Sequence, residues 1–239
     1  MIVLYGGGPN FGLPELSPYV TKTEVQLKMA GLAYRKERAT PKDSPKGQVP
    51  FIEDDGERIA DSTFIRAHIE RKYGIDLDEG LDSRARAEAW AIERMIENHF
   101  GFAVGYTRFL IPENFAKGPA HFVDYAPEAQ REQLREDLLT RVKANFLASG
   151  ITRHTADEIE WLGIRSLDAL SSLLGEKAYL LGERPTSVDA IGFAMMAGLL
   201  TPFFNSDLRR RALRYENLCD YVARMMAEFY PEFAWAEAA

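Results

Sequence analysis

Apolar and polar positions fall into two textures along the 239 residues. Near the start, Ile2, Val3, Leu4 and Tyr5 form a β-prone run closed by Gly6, Gly7 and Gly8, which predicts a buried strand and its exit. Ser17-Pro18 supplies an N-cap and a first-turn proline, and Gly31 supplies a stop. Between them Val20 with Leu27 and Val25 with Met29 lie on two faces, so this helix is expected to be covered on both sides. A strand is expected around Leu32-Ala33-Tyr34, ahead of a polar, proline-containing stretch over 41–47. Val49-Pro50-Phe51-Ile52-Glu53, the turn signal Asp54-Asp55-Gly56 and Arg58-Ile59-Ala60 read as a hairpin. Asp61-Ser62 then caps a helix carrying Ile65, Ile69 and Tyr73 until Gly74 ends it. Strand, helix, three strands and helix make an α/β unit, with mixed strand directions because a tight turn joins antiparallel neighbours.

Residues 75–82 are short and polar and are read as a linker, dividing the chain into domains at 1–78 and 83–239. Beyond them only helical spacing appears. Ala85, Ala89, Ile92, Ile96, His99 and Ala103 keep one stripe, while Met95, Phe102, Tyr106 and Phe109 form a second beside it, which predicts one long helix buried on more than one side. Further helices are expected at about 127–148, 154–174, 186–200 and 215–229.

Composition narrows the field. Hydrophobic residues at 46% and charged residues at 27% are ordinary globular values. A net charge of -7 offers no field for phosphate backbones, so nucleic acid is not an expected partner. Arg209, Arg210, Arg211 and Arg214 read as a solvated helix edge. The single cysteine, Cys219, excludes an internal disulfide, a Cys-x-x-Cys pair and a thiolate zinc site, and fits a reducing compartment. No signal peptide and no membrane-length apolar run is found, so a soluble, cytoplasmic protein is expected.

Nucleotide-binding glycine patterns, H-E-x-x-H and G-x-S-x-G are absent, and His68, His99, His121 and His154 are too scattered to pair as helical ligands, so no metal is expected. The glycines at 6–8 are read as strand exit rather than as an anion cradle. What remains is a set of helix N-termini. Ser17 puts a hydroxyl where dipole and free amides favour negative charge, so it could donate to a thiolate or serve only as a cap. Asp61-Ser62 offers a carboxylate for an ammonium group beside a hydroxyl for a carboxylate, or again a plain cap. Val49-Pro50 is a candidate cis peptide whose unpaired backbone could bind a peptide in strand fashion.

Three segments, SPYVTKTEVQLKMAGLAY (17–34), SPKGQVPFIEDDGERIADSTFI (44–65) and YLLGERPTSVDAIGFAMMAGLL (179–200), resemble the glutathione transferases, most of all the metaxin and failed-axon-connections branch. The third holds a Thr186 to Asp189 capping box, a structural feature of that fold. The resemblance implies a thioredoxin-like N-terminal domain, an all-helical C-terminal domain, a homodimer, and glutathione as co-substrate. It implies Ser17 as the thiolate's hydrogen-bond donor, with Tyr5 as the alternative. Gln48, Val49, Pro50, Asp61 and Ser62 would hold glutathione, and Phe102, Tyr106 and Phe109, with Phe115, Phe122 or Phe203, would face an apolar electrophile. Val20 stands where many of the branch carry cysteine, which removes a thiol-disulfide chemistry. Two functions follow: a transferase that conjugates an apolar electrophile or reduces a peroxide, and a non-catalytic, metaxin-like binding protein of the same fold.

Overall fold

The computed structural model describes residues 1–235. Its first part is a four-stranded sheet in the order β2-β1-β3-β4, with β1 at Ile2–Gly6, β2 at Tyr34–Arg38, β3 at Phe51–Asp54 and β4 at Glu57–Ala60. β1 runs parallel to β2 and antiparallel to β3, and β3 pairs antiparallel with β4. Asp55 and Gly56 both take positive φ (52° and 84°), the geometry of a two-residue hairpin turn. Strand alternation sends Ile2 and Leu4 to the face covered by helices α1 (Pro18–Met29) and α2 (Ser62–Tyr73), where they meet Val20, Leu27, Ile52, Ile65 and Ile69.

The strand expected near 32–34 lies a few residues later. Its YRKER sequence carries four charges and hides from hydrophobic pattern, because it is an edge strand and charge keeps such an edge from pairing with another chain.

From Ser83 the described chain is helical. α3 (Ser83–Met95), a π-helical turn at Ile96–Phe100 and α4 (Gly101–Phe109) run on as the expected long helix. α5 (Pro112–Lys117), α6 (Glu128–Ser149), α7 (Ala156–Leu174), α8 (Ser187–Leu200), α9 (Asp207–Ala212) and α10 (Glu216–Phe229) follow. Every residue of α8 is buried, so it is the axis of the helical core. Its buried Asp189 accepts from the Thr186 amide (2.8 Å) and hydroxyl (2.9 Å), the Leu180 amide (2.8 Å) and the Tyr221 hydroxyl (3.2 Å). α9 carries the arginine cluster: Arg210 and Arg211 are exposed, but Arg209 donates to the Leu200 carbonyl at the end of α8.

α1 is covered on both sides, as its two apolar faces require, and residues 20–27 are all buried, charged ones included. It lies between the sheet and α8. Lys22, fully buried, donates to Glu93 (3.1 Å) and Glu97 (2.7 Å), which Arg94 bridges from outside. Glu24 accepts from Tyr34, Lys36 and Tyr230. The stretch over 75–82 is pinned rather than loose: buried Asp78 takes the Arg66 guanidinium at 2.6 Å and the Ser187 amide at 2.9 Å.

Candidate active site

The segment between β1 and α1, residues 7–16, is too rich in glycine and proline for regular structure, and it folds back onto the helical part. Phe11, buried at φ 56°, packs among Phe122, Phe203 and Phe204, and its carbonyl accepts from Thr201 Oγ1 at 2.6 Å. Farther on, the buried carboxylate of Glu15 accepts from the amides of Gly7 (3.1 Å), Gly8 (2.9 Å) and Ser17 (3.3 Å), with Lys36 Nζ at 3.5 Å. Burial pushes the Glu15 carboxyl up, against the downward pull of Lys36 and the three amides. The glycines at 6–8 do end the strand. The amides of Gly7 and Gly8 also cradle an anion, supplied by the chain itself.

Ser17 follows as the N-cap of α1 with extended backbone (φ −99°, ψ 121°), and its hydroxyl makes no capping bond. Pro18 has no amide hydrogen, and the amides of Tyr19 and Val20 lie in the first turn, where no intrahelical acceptor exists. Ser17 therefore sits, with an uncommitted hydroxyl, at the positive end of a twelve-residue helix. It borders a cavity of about 280 Å³ whose walls come from Leu16 to Tyr19 on one side, Phe102, Gly105, Arg108 and Phe109 on another, and Phe146, Met195 and Gly198 behind. Gly105 lets the Phe146 ring lie directly against α4, since a Cβ there would stand 2.9 Å from it. Burial, then the charge of Glu97, pushes the Tyr19 phenol up to about 12, so it stays a neutral donor at ordinary pH.

Phe102 and Phe109 line this cavity. Tyr106 does not; it borders a separate space of about 140 Å³ with Ile111, Asp157 and Leu208. Phe122 and Phe203 pack on Phe11, and Phe115 is half-buried on α5. Tyr5 points to the sheet face opposite Leu4 and stacks on Phe51 at 4.3 Å, away from the α1 N-terminus.

The Val49–Pro50 bond is cis. The sheet register between β1 and β3 begins at Phe51, which leaves Val49 outside the ladder, and Gln48 is exposed. The Pro50 carbonyl accepts from the Asp61 amide at 3.2 Å, bringing this segment to the start of α2. Asp61 adopts φ 80° and its Oδ1 accepts from the Thr63 amide at 2.9 Å, while Ser62 is buried beneath it. A non-glycine residue in this backbone region is strained, a condition that clusters at ligand-binding turns.

Glu15 and Arg108 escape a reading of the sequence. Glu15 looks like an ordinary loop residue, because its donors come from both sides of the loop. Arg108 did leave a signal: it is the only Asp, Glu, Lys or Arg between Glu97 and Glu113.

A four-stranded mixed sheet with a cis-proline segment leading into an inner strand, joined to a layer of helices around one buried axis, defines the class: a thioredoxin-like unit followed by a glutathione-transferase helical unit. The crystal structure of Beta-etherase LigF from Sphingobium sp. strain SYK-6 has this fold with a TM-score of 0.68 at 19% identity, covering 97% of this chain and 99% of that one. Residues 18–114 match the family model of the glutathione S-transferase N-terminal domain and residues 163–225 that of the C-terminal domain. Isoprene-epoxide--glutathione S-transferase of Rhodococcus sp. (strain AD45) is 30% identical over 197 residues, 80% of this chain and 83% of that protein. The chain belongs to the glutathione S-transferase family. Failed axon connections of Drosophila melanogaster is 32% identical over 248 residues, which take in 98% of this chain but 59% of the length of that relative. Metaxin-2 of Mus musculus is 26% identical over 194 residues, 80% of this chain and 73% of its own.

Proposed function

We propose that this protein binds glutathione along Val49 and the Asp61-Ser62 turn, holds its thiolate at Ser17, and adds it to an apolar electrophile in the adjoining cavity. The observation that carries this reading is the free Ser17 hydroxyl at a helix N-terminus on the wall of an apolar cavity. A free thiol with pKa ~8.5 is only a few per cent ionised at neutral pH. Lowering that pKa by two units requires about 2.7 kcal/mol of extra stabilisation of the anion. One hydrogen bond to a charged group contributes ~1.5–3 kcal/mol and a helix terminus a further ~0.3–1 kcal/mol, which is enough without ionising the serine.

The thiol loses its proton to water and the thiolate attacks the electrophilic carbon. With an epoxide, the class named for the Rhodococcus relative, an S–C bond forms, a C–O bond breaks, and the alkoxide takes a proton from water. Glu15 sets a limit on this chemistry, since it occupies the amides of residues 7, 8 and 17. The Ser17 hydroxyl and the first-turn amides are what remain for a ligand. Retention on immobilised glutathione, followed by calorimetric titration into wild type and Ser62→Ala, tests the reading. Binding that Ser62→Ala weakens is the expected result, and no binding at millimolar glutathione would overturn it.

The second reading is a non-catalytic partner-binding protein. It is favoured by the likeness to Failed axon connections and Metaxin-2, together with an amide cradle already filled by the chain's own carboxylate.

A further inference from the structure

Arg108 has no role in the glutathione reading. Its side chain is 7% exposed, and among the described residues its one hydrogen bond to protein runs from Nη1 to the Leu16 carbonyl at 2.9 Å. The guanidinium lies over the rings of Phe11 (5.5 Å) and Phe204 (5.2 Å). Among the described residues no carboxylate forms an ion pair with it, and burial alone pulls its pKa down to about 10, so it is a cation at neutral pH. Nη1 alone finds an acceptor among the described residues, and the other nitrogens of the planar fork are not sealed from solvent, so they are free to meet a negative charge in the cavity that the side chain borders. The same side chain borders the 280 Å³ cavity beside Ser17, and Gly198 makes room for it: a Cβ there would stand 3.3 Å from Nη2.

We propose that this cavity binds a small organic acid, its carboxylate on Arg108 and its apolar body against Phe102, Phe109, Phe146 and Met195. A guanidinium fork matches a carboxylate in shape, and one unpaired cation matches one negative charge. A dianion would leave an excess charge in an apolar space. The volume is at the small end for ligand cavities, which run from ~300 Å³ upward, so the body is short. The inference rests on the conjugation reading only for chemistry, in which case the electrophile is one that bears a carboxylate. Binding of the acid needs no glutathione.

The test is calorimetric titration of the full chain, without glutathione, using octanoate and its neutral counterpart octan-1-ol as probes. Wild type is expected to bind octanoate about tenfold tighter than the alcohol or better, as a hydrogen bond to a charged group implies. Arg108→Met should erase that preference by weakening octanoate alone, and Arg108→Lys should keep part of it. Equal binding of the two probes by wild type, no binding of either, or an unchanged preference in Arg108→Met would overturn the proposal. Wild type suffices for the first two outcomes, so they hold even if Arg108→Met does not fold. A parallel titration with glutathione separates the claims: acid binding without glutathione binding removes the conjugation reading and leaves the acid site, and the reverse result does the opposite.

Discussion

The sheet part and the helical part of this molecule are held together by different means. The helical part has one large apolar core, centred on the wholly buried α8 and joined by side chains from α3, α4, α7 and α10. The sheet part has a small core, Ile2, Leu4, Val20, Leu27, Ile52, Ile65 and Ile69, on the face covered by α1 and α2. It is completed by docking, and the docking surface of α1 is largely polar: Lys22 against Glu93 and Glu97, Gln26 against the Ser187 carbonyl. Apolar packing tolerates small displacements, whereas a buried charge is stable only with its partners in place. The sheet part is therefore located by electrostatics as much as by shape, and the candidate site lies along that seam.

This contrast can be broken at four points. Replacing Asp189 strikes the apolar part at its polar anchor, leaving the Leu180 and Thr186 amides and the Thr186 hydroxyl without their acceptor, while Tyr221 keeps the backbone carbonyl of residue 189. Asp189→Ala should cost about 4 kcal/mol in urea unfolding; a loss near 1 kcal/mol would show that the helical core does not depend on the box. Lys22→Met leaves buried Glu93 and Glu97 to Arg94 and, for Glu93, to the Arg66 guanidinium at 4.0 Å, and about 3 kcal/mol should go. Amide exchange should then speed up in α1 and the sheet while α8 stays protected, and uniform acceleration would contradict the division drawn above. Glu15→Gln turns a carboxamide NH2, a donor, toward a backbone amide and loses Lys36, for about 2 kcal/mol by thermal melting. Ser17→Ala should cost less than ~0.5 kcal/mol because the hydroxyl caps nothing. Its effect belongs to the chemistry. With Ser17 lowering the thiol pKa, the pH profile of conjugation turns over near pH ~6.5, and without it the inflection moves up toward ~8.5. An unmoved profile would take the thiolate role away from this residue.

Elements held by local rules were legible in the sequence. Pro18 and Gly31 bracket α1, Gly74 ends α2, the Thr186–Asp189 box opens α8, and the bounds expected for α6, α7, α8 and α10 fall within two residues of those observed. What hid was non-local. Nothing local marks Lys22 on α1 for the interior, and only the approach of Glu93 and Glu97, some seventy residues on, gives it partners there. Glu15 and the glycines of residues 7 and 8 are individually unremarkable and become a cradle only when the loop closes. The short α5 leaves no signal and α9 shows only as a helix edge at its arginines, because six residues carry too little periodicity to register. Tyr106 shares the helical spacing of Phe102 and Phe109, yet it borders another space.

The π-helical turn at Ile96–Phe100 has a bearing on how such a chain can change over generations. A π turn accommodates one residue more than an α turn, and each residue advances a helix by about 100°. Glu93 and Glu97, four residues apart, meet Lys22, while beyond the turn Phe102, Gly105, Arg108 and Phe109 are aimed at the cavity. Deleting a single codon in this stretch would restore an unbroken helix and swing the downstream wall by about 100°, presenting a different set of side chains to the same space. A change of three bases could thus exchange the lining of the cavity in one mutational event, an outcome that no individual substitution reaches.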